Sequence, residues 1–219
     1  MWKRLENMVR IKICGITNEK DALSIAKLGV DALGFVITEG KFPNKISVED
    51  AKKIVAKLPP FVSSVIGSDL NSDNVVEICK TIRPDAVEIH SEMCTKDLKL
   101  IRKRLEGVKL IRTVFVKDES AIKVAKSIND YVDAIILDNP QGISGVLDWD
   151  ICSELVKQCS KPVILAGGLN PNNVREAILK VKPYAVDVIS GVEKKPGRMD
   201  LGKVERFVRI AKSVNLPRV

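Results

Sequence analysis

Two side chains in this sequence sit where proton transfer could be done. Cys14 closes the alternating run Val9-Arg10-Ile11-Lys12-Ile13, which reads as a strand, and it stands just ahead of a helical segment. A thiol there is either a small core hydrophobe or, with its pKa lowered by the helix dipole, a base. Asp138 closes the apolar run Ala134-Ile135-Ile136-Leu137 in the same way and is followed by Asn139-Pro140-Gln141-Gly142. It either caps that loop or donates a proton, and Gly142 and Gly145 around Ser144 suggest a flexible cover over a ligand. An acid and a base on opposite sides of one opening can carry out acid–base catalysis.

A second constellation suits an anion. Ala166-Gly167-Gly168-Leu169-Asn170-Pro171 follows one apolar run, with Asn170 placed to cap the next helix and Pro171 suited to its first position. Ile189-Ser190-Gly191-Val192-Glu193 follows another and leads to Pro196-Gly197, a turn long enough for a short extra helix. Each alone reads as a tight turn; together they match a phosphate site built from backbone N–H groups. Asp187 either binds a sugar hydroxyl or joins a structural hydrogen bond. His90 ends a strand, as a structural residue or at a site. Arg112 shares a strand face with Leu110 and Val114, and alternation alone does not say which way that face points.

These residues are placed by a regular alternation of short β-branched segments with longer amphipathic ones, which predicts parallel strands joined by helices. Eight units are expected, with strands at Val9 to Cys14, Ala32 to Ile37, Phe61 to Ile66, Ala86 to Ile89, Leu110 to Phe115, Ala134 to Leu137, Pro162 to Ala166 and Tyr184 to Ile189. In the segment from Glu19 to Leu28, Ala22, Ile25, Ala26 and Leu28 fall on one face. Val30-Asp31-Ala32-Leu33, Pro84-Asp85-Ala86-Val87 and Val132-Asp133-Ala134-Ile135 echo one another at even-numbered strands, as suits a barrel packed in layers from alternate strands. The expected fold is a single-domain (β/α)8 TIM barrel over residues 1–219, its barrel proper about 9–213 after a short N-terminal extension, 1–8. An open doubly wound sheet would have fewer strands and a glycine fingerprint after the first, which Cys14-Gly15-Ile16-Thr17-Asn18 lacks. In such a barrel the chemistry sits at the C-terminal strand ends, where Cys14, His90, Asp138 and both glycine turns fall.

The bulk composition agrees. A chain of 219 residues with 45% hydrophobic content can bury a core unaided, and neither a membrane span nor a signal-type leader is present, so a soluble cytoplasmic protein is expected. Five cysteines without a CxxC pair suit a reducing compartment, and a single histidine argues against structural zinc; no metal is expected. The net charge of +8 raises nucleic acid as a partner, but lysine and glutamate are interspersed and aromatics are only 4%. Solvated helix faces and one anion pocket account for it.

Taken together, Lys12-Ile13-Cys14-Gly15-Ile16-Thr17, Asp31-Ala32-Leu33-Gly34-Phe35-Val36, Leu137-Asp138 with Gly142-Ile143-Ser144-Gly145 and Asp148-Trp149, Pro162 to Pro171, and Val186-Asp187-Val188-Ile189-Ser190-Gly191-Val192-Glu193 resemble the motifs of the phosphoribosylanthranilate isomerase family, in order along the chain. The resemblance implies an Amadori rearrangement in tryptophan biosynthesis, with Asp138 as general acid on the ribose ring oxygen and Cys14 as general base at C2. It further implies phosphate on Gly167, Gly168, Ser190 and Gly191, ribose on Asp187, and no metal or organic cofactor. The partner is a phosphorylated small molecule, not nucleic acid or membrane, and the protein a monomer or homodimer. The chain departs from the pattern in three places, one of them after strand three, where Gly67-Ser68-Asp69 replaces a more apolar family segment. The family's Ser-Pro-Arg run, whose arginine meets the anthranilate carboxylate, is replaced by Gly40-Lys41-Phe42-Pro43-Asn44-Lys45-Ile46, which puts Lys45 or Lys41 forward for that charge. The family's Gln-x-His-Gly becomes Glu88-Ile89-His90-Ser91.

Overall fold

The computed structural model describes residues 8–140 and 145–216. Gly142, Ile143 and Ser144, on which the expected loop cover partly rests, lie outside the described residues, as does all of the N-terminal extension but Met8. Eight strands, β1 (Arg10–Ile13), β2 (Ala32–Ile37), β3 (Ser63–Ser68), β4 (Ala86–Ile89), β5 (Lys109–Phe115), β6 (Ala134–Asp138), β7 (Val163–Leu165) and β8 (Ala185–Val188), close into one barrel in chain order. All the pairs are parallel, including β1 with β8. The crossovers are α1 (Glu19–Ala26), α2 (Val48–Val55), α3 (Ser72–Ile82), α4 (Thr95–Arg104), α5 (Ser120–Ile128), α6 (Trp149–Gln158) and α7 (Val174–Val181), with α8 (Leu201–Lys212) closing the chain. Among the described residues no helix is long and apolar enough to cross a membrane.

Side-chain parity divides each strand between two environments. Ile11, Ile13, Leu33, Phe35, Ile66, Val87, Ile89, Leu110, Val114, Ile135, Leu137 and Val186 face the helices and pack with residues such as Ala22, Ile25, Ala177, Ile178 and Phe207. The other parity fills the barrel. Val65, Ala86, Ile111, Ile136, Ile164 and Ala185 form an apolar layer, and two residues further along their strands come Glu88, Thr113, Asp138 and Asp187. Arg112 therefore lies on the outer face with Leu110 and Val114; it is buried, with Nη1 donating to the Ile89 carbonyl at 3.3 Å.

The aspartate echo has a physical cause. Asp31 Oδ2 accepts from Ile11 N at 2.8 Å, Asp85 Oδ2 from Ser64 N at 2.7 Å and Asp133 Oδ2 from Leu110 N at 2.8 Å. Each carboxylate just ahead of an even strand thus satisfies a backbone donor near the start of the odd strand before it. Helix starts are fixed by side-chain caps: Asn18 accepts from Asp21 N, Ser47 from Asp50 N, and Asp148 and Asp200 from two N–H groups each.

Two local expectations are corrected and a third, the short helix after the last barrel strand, is made specific. Strand three begins at Ser63, because Val62 N bonds the Pro59 carbonyl in a proline-led turn; this leaves Phe61 96% exposed. Helix α7 begins at Val174, since Asn170 Oδ1 is taken by Asn172 N and holds residues 171–173 in a turn ahead of it. The segment after β8 holds a 3-10 turn, Ser190–Val192, and a two-stranded hairpin, β9 (Glu193–Lys195) with β10 (Arg198–Met199), closed by Gly197 at φ +77°.

Candidate active site

The floor of the site is a buried ionic cluster. Lys12 on β1 and Glu88 on β4 stand three strands apart, so their 2.9 Å contact crosses the barrel interior; a second 2.9 Å contact joins Lys12 Nζ to Asp187 on β8. All three are almost fully buried. Glu88 also accepts from Thr113 Oγ1 at 3.3 Å and from His90 Nε2 at 2.8 Å, while Asp187 Oδ1 is buried without a hydrogen-bond partner. Burial opposes the Lys12 charge, but the carboxylates of Asp187 and Glu88 and the neighbouring Cys14 outweigh it and hold the ammonium well above its ordinary value. Burial also opposes ionisation of Glu88, yet Lys12 and His90 keep it below the carboxylate range. Asp187 goes the other way: burial, reinforced by the charges of Glu88 and Asp138, pushes it up to about 6 against the pull of Lys12.

Above this floor stand the strand-end groups. Cys14 lies directly over Lys12 and is buried. Its space exists because β2 carries glycine opposite: a Cβ on Gly34 would overlap the Cys14 Sγ and sit 3.0 Å from its Cα. The expectation of a lowered thiol pKa is corrected here. Burial pushes the Cys14 thiol up to about 12, with Lys12 pulling it down and Asp187 and Glu88 adding to the rise. Asp138, half-buried at the end of β6, is raised by burial against the 2.8 Å hydrogen bond it accepts from Asn139 N. His90 stands edge-on to Phe115 at 5.9 Å between ring centroids, and Asp138 and His90 each feel the other's charge.

The two glycine turns meet. Gly191 lies against Leu169 and Asn170, so that a Cβ there would overlap the Leu169 carbonyl; Gly167 and Gly168 have φ of +71° and +69°, open to glycine at no steric cost. Gly168 lies under the carbonyl of Gly145, which accepts from Asn139 Nδ2 at 2.7 Å. Asn139 and Gly145 are thereby seated against the glycine turn, and Ser190 is exposed.

Lys45 is not brought into this cluster. Its Nζ bonds the Gly40 carbonyl at 3.2 Å on the exposed side of the loop after β2. The residue of that loop that turns inward is Asn44, whose Nδ2 meets the buried carboxylate of Glu193 at 2.6 Å and the Gly15 carbonyl at 3.4 Å. Sequence reading missed Lys12, Glu88, Gly34 and the Asn44–Glu193 pair as parts of the site. Parity was the available signal, since Lys12 precedes Cys14 by two positions and Glu88 precedes His90 by two, so each pair shares a strand face.

Two titratable strand-end side chains, a buried carboxylate with an unpartnered oxygen and two facing glycine turns thus gather at one barrel mouth, and proteins of similar sequence and shape are known. Residues 11–210 match the family described as N-(5'phosphoribosyl)anthranilate (PRA) isomerase. The N-(5'-phosphoribosyl)anthranilate isomerase of Methanocella arvoryzae is 40% identical over 206 residues, 92% of this chain and 97% of the relative. The crystal structure of phosphoribosyl anthranilate isomerase from Thermotoga maritima superposes with a TM-score of 0.86 at 38% identity, covering 94% of this chain and 99% of that one. A phosphoribosyl anthranilate isomerase in complex with reduced 1-(o-carboxyphenylamino)-1-deoxyribulose 5-phosphate does so at 0.84 and 36%, covering the same shares. The chain belongs to the N-(5'-phosphoribosyl)anthranilate isomerase family, the isomerases that carry out the Amadori rearrangement of tryptophan biosynthesis.

Proposed function

We propose that this chain isomerises N-(5'-phosphoribosyl)anthranilate with Asp138 as general acid and Cys14 as general base, on a single barrel domain of about residues 9–213. The observation that carries the assignment is the pair of titratable groups at the mouth: a carboxyl raised by burial at the end of β6, and a buried thiol just after β1, seated over the ammonium of Lys12. Asp138 gives its proton to the ribose ring oxygen as the C1–O bond breaks, the anthranilate nitrogen supplying the electrons and becoming an iminium. Cys14 then takes the C2 proton, and the electrons of that bond flow towards the nitrogen to give an enolamine, which ketonises to the 1-deoxyribulose product.

The working form has Asp138 protonated and Cys14 ionised, the reverse of their resting order, and is reached by moving one proton between them. Lys12 lowers the cost of the thiolate. The phosphate is held by the turns at Gly167-Gly168 and Ser190-Gly191, with Gly145 in the loop over them, and the unpartnered Asp187 Oδ1 accepts a ribose hydroxyl. His90 faces the aromatic end, and Lys45 reaches that end only by leaving the Gly40 carbonyl. All these groups come from one chain, so the reading holds for a monomer or a homodimer.

The test is loss of anthranilate-type fluorescence when freshly made phosphoribosylanthranilate is mixed with the wild type, Asp138→Asn and Cys14→Ala. Turnover by the wild type with kcat down about 10²–10⁴-fold in each variant is the expected result. A folded wild type without turnover would overturn the assignment.

A further inference from the structure

Glu88 is a carboxylate among donors supplied by three strands: Lys12 Nζ from β1, His90 Nε2 from the end of its own strand and Thr113 Oγ1 from β5. A buried ionised carboxylate only accepts hydrogen bonds, so the His90 nitrogen on it must carry a proton. The charge balance of the cluster then decides the state of the ring. Lys12 and a protonated His90 set two cations against the two anions Glu88 and Asp187, whereas a neutral His90 leaves a buried net negative charge, which is costly in a low dielectric. The ring itself is not sealed in: its side chain is 37% exposed, at the barrel mouth.

We propose that Glu88 is a positioning residue that holds His90 as an imidazolium at the mouth, where the ring meets the carboxylate of the aromatic end of the substrate and selects for it. This rests on the isomerase reading for the identity of the ligand. The charge is needed there because the loop after β2 turns an uncharged Asn44 inward, tied to Glu193, and keeps the Lys45 ammonium outside. The charged groups acting on the ring are Glu88 beneath it, Asp138 on β6 and Lys12 on β1; Asp187 on β8 and Cys14 enter through Lys12. Burial opposes the charge of His90, but the hydrogen bond and attraction of Glu88, with Asp138 added, outweigh burial and Lys12 and raise the imidazole above its ordinary value. As pH rises through that raised value the imidazolium is lost, and carboxylate binding weakens.

His90 is the only histidine of the chain, so its ring signals in a ¹H–¹³C spectrum are unambiguous. The experiment titrates them in the unliganded wild type and in Glu88→Gln, which keeps the shape and the hydrogen-bonding reach of the side chain. A wild-type value above ~6.5 that falls by about 1 unit or more in the variant is expected. In the same samples, Kd is measured for reduced 1-(o-carboxyphenylamino)-1-deoxyribulose 5-phosphate and for the phenylamino analogue without the carboxyl. The carboxylated ligand should weaken about tenfold in Glu88→Gln and in His90→Asn, and in the wild type as pH passes the measured value, while the carboxyl-free analogue is unaffected. A histidine that titrates alike in both proteins, or an equal loss for both ligands, overturns the proposal. Neither reading requires turnover, so a failure of the isomerase assignment would show separately as an inactive wild type.

Discussion

Replacing Lys12 by methionine keeps the length of the side chain and removes the only positive charge that Glu88 and Asp187 share. At 2.9 Å and an effective dielectric of ~20, each of the two contacts is worth about 6 kcal/mol before desolvation, and several kcal/mol of desolvation per buried ion offsets most of that. Taking away one partner leaves the other charges buried and uncompensated, so Lys12→Met should destabilise the fold by about 3–5 kcal/mol at pH 8.5. The pH dependence carries the sharper information. Asp187 already stands at about 6 in the native state, above the ~3.9 of an unfolded aspartate, so its contribution to stability is full below ~4 and is lost as pH rises to 6. Without Lys12 its native value climbs further, and the variant goes on losing about 1.4 kcal/mol per pH unit where the wild type has levelled off. Urea unfolding of both proteins at pH 5 and pH 8.5 measures this, with the larger penalty expected at pH 8.5. An equal penalty at the two pH values, or a larger one at pH 5, would refute the ion cluster as the source of stability here.

Gly34→Ala tests the room left for the proposed base: the new Cβ overlaps the Cys14 Sγ and crowds its Cα, so kcat should fall at least ~10²-fold and stability by about 1–3 kcal/mol, read by turnover and denaturation. A variant with kcat within about threefold of wild type would show that the thiol position is not critical. The reversed protonation order predicts a kcat that climbs with pH up to a raised Asp138 value, then stays flat through pH 8–10 with no break at the ordinary thiol value of ~8.5, because burial holds Cys14 at about 12. A break near 8.5 would show that a thiol with an ordinary pKa controls the rate.

Residue types at strand ends made the barrel and the two proton-transfer candidates readable from sequence, because a strand's last residue is marked by the turn residues next to it: Gly15 after Cys14, Asn139-Pro140 after Asp138. The repeated aspartates marked even strands for the same local reason, and each proved to serve one backbone donor on a neighbouring odd strand. Phe61 was misread because its apolar side chain continues the hydrophobic run into Val62, while the turn is set by Pro59-Pro60 just before it.

The floor of the site was hidden for a different reason. Lys12, Glu88 and Asp187 are separated by 76 and 99 residues along the chain, and only barrel closure brings them within hydrogen-bond reach. Each interrupts an apolar strand, as Arg112 does, and a sequence gives Arg112 equal standing although it lies outside the barrel. Once the parity of Cys14 and His90 is known, Lys12 and Glu88 fall inside with them and Arg112 with Leu110 and Val114 outside. The state of Cys14 follows from the same closure. A thiol at a strand end near a helix start looks activated, yet burial in the closed mouth raises it to about 12, and the ammonium beneath it is what makes a thiolate accessible at all. The proposed base therefore draws on two residues of one face, Cys14 and Lys12, and Glu88 and Asp187 set how much of the ammonium's charge the sulfur can use.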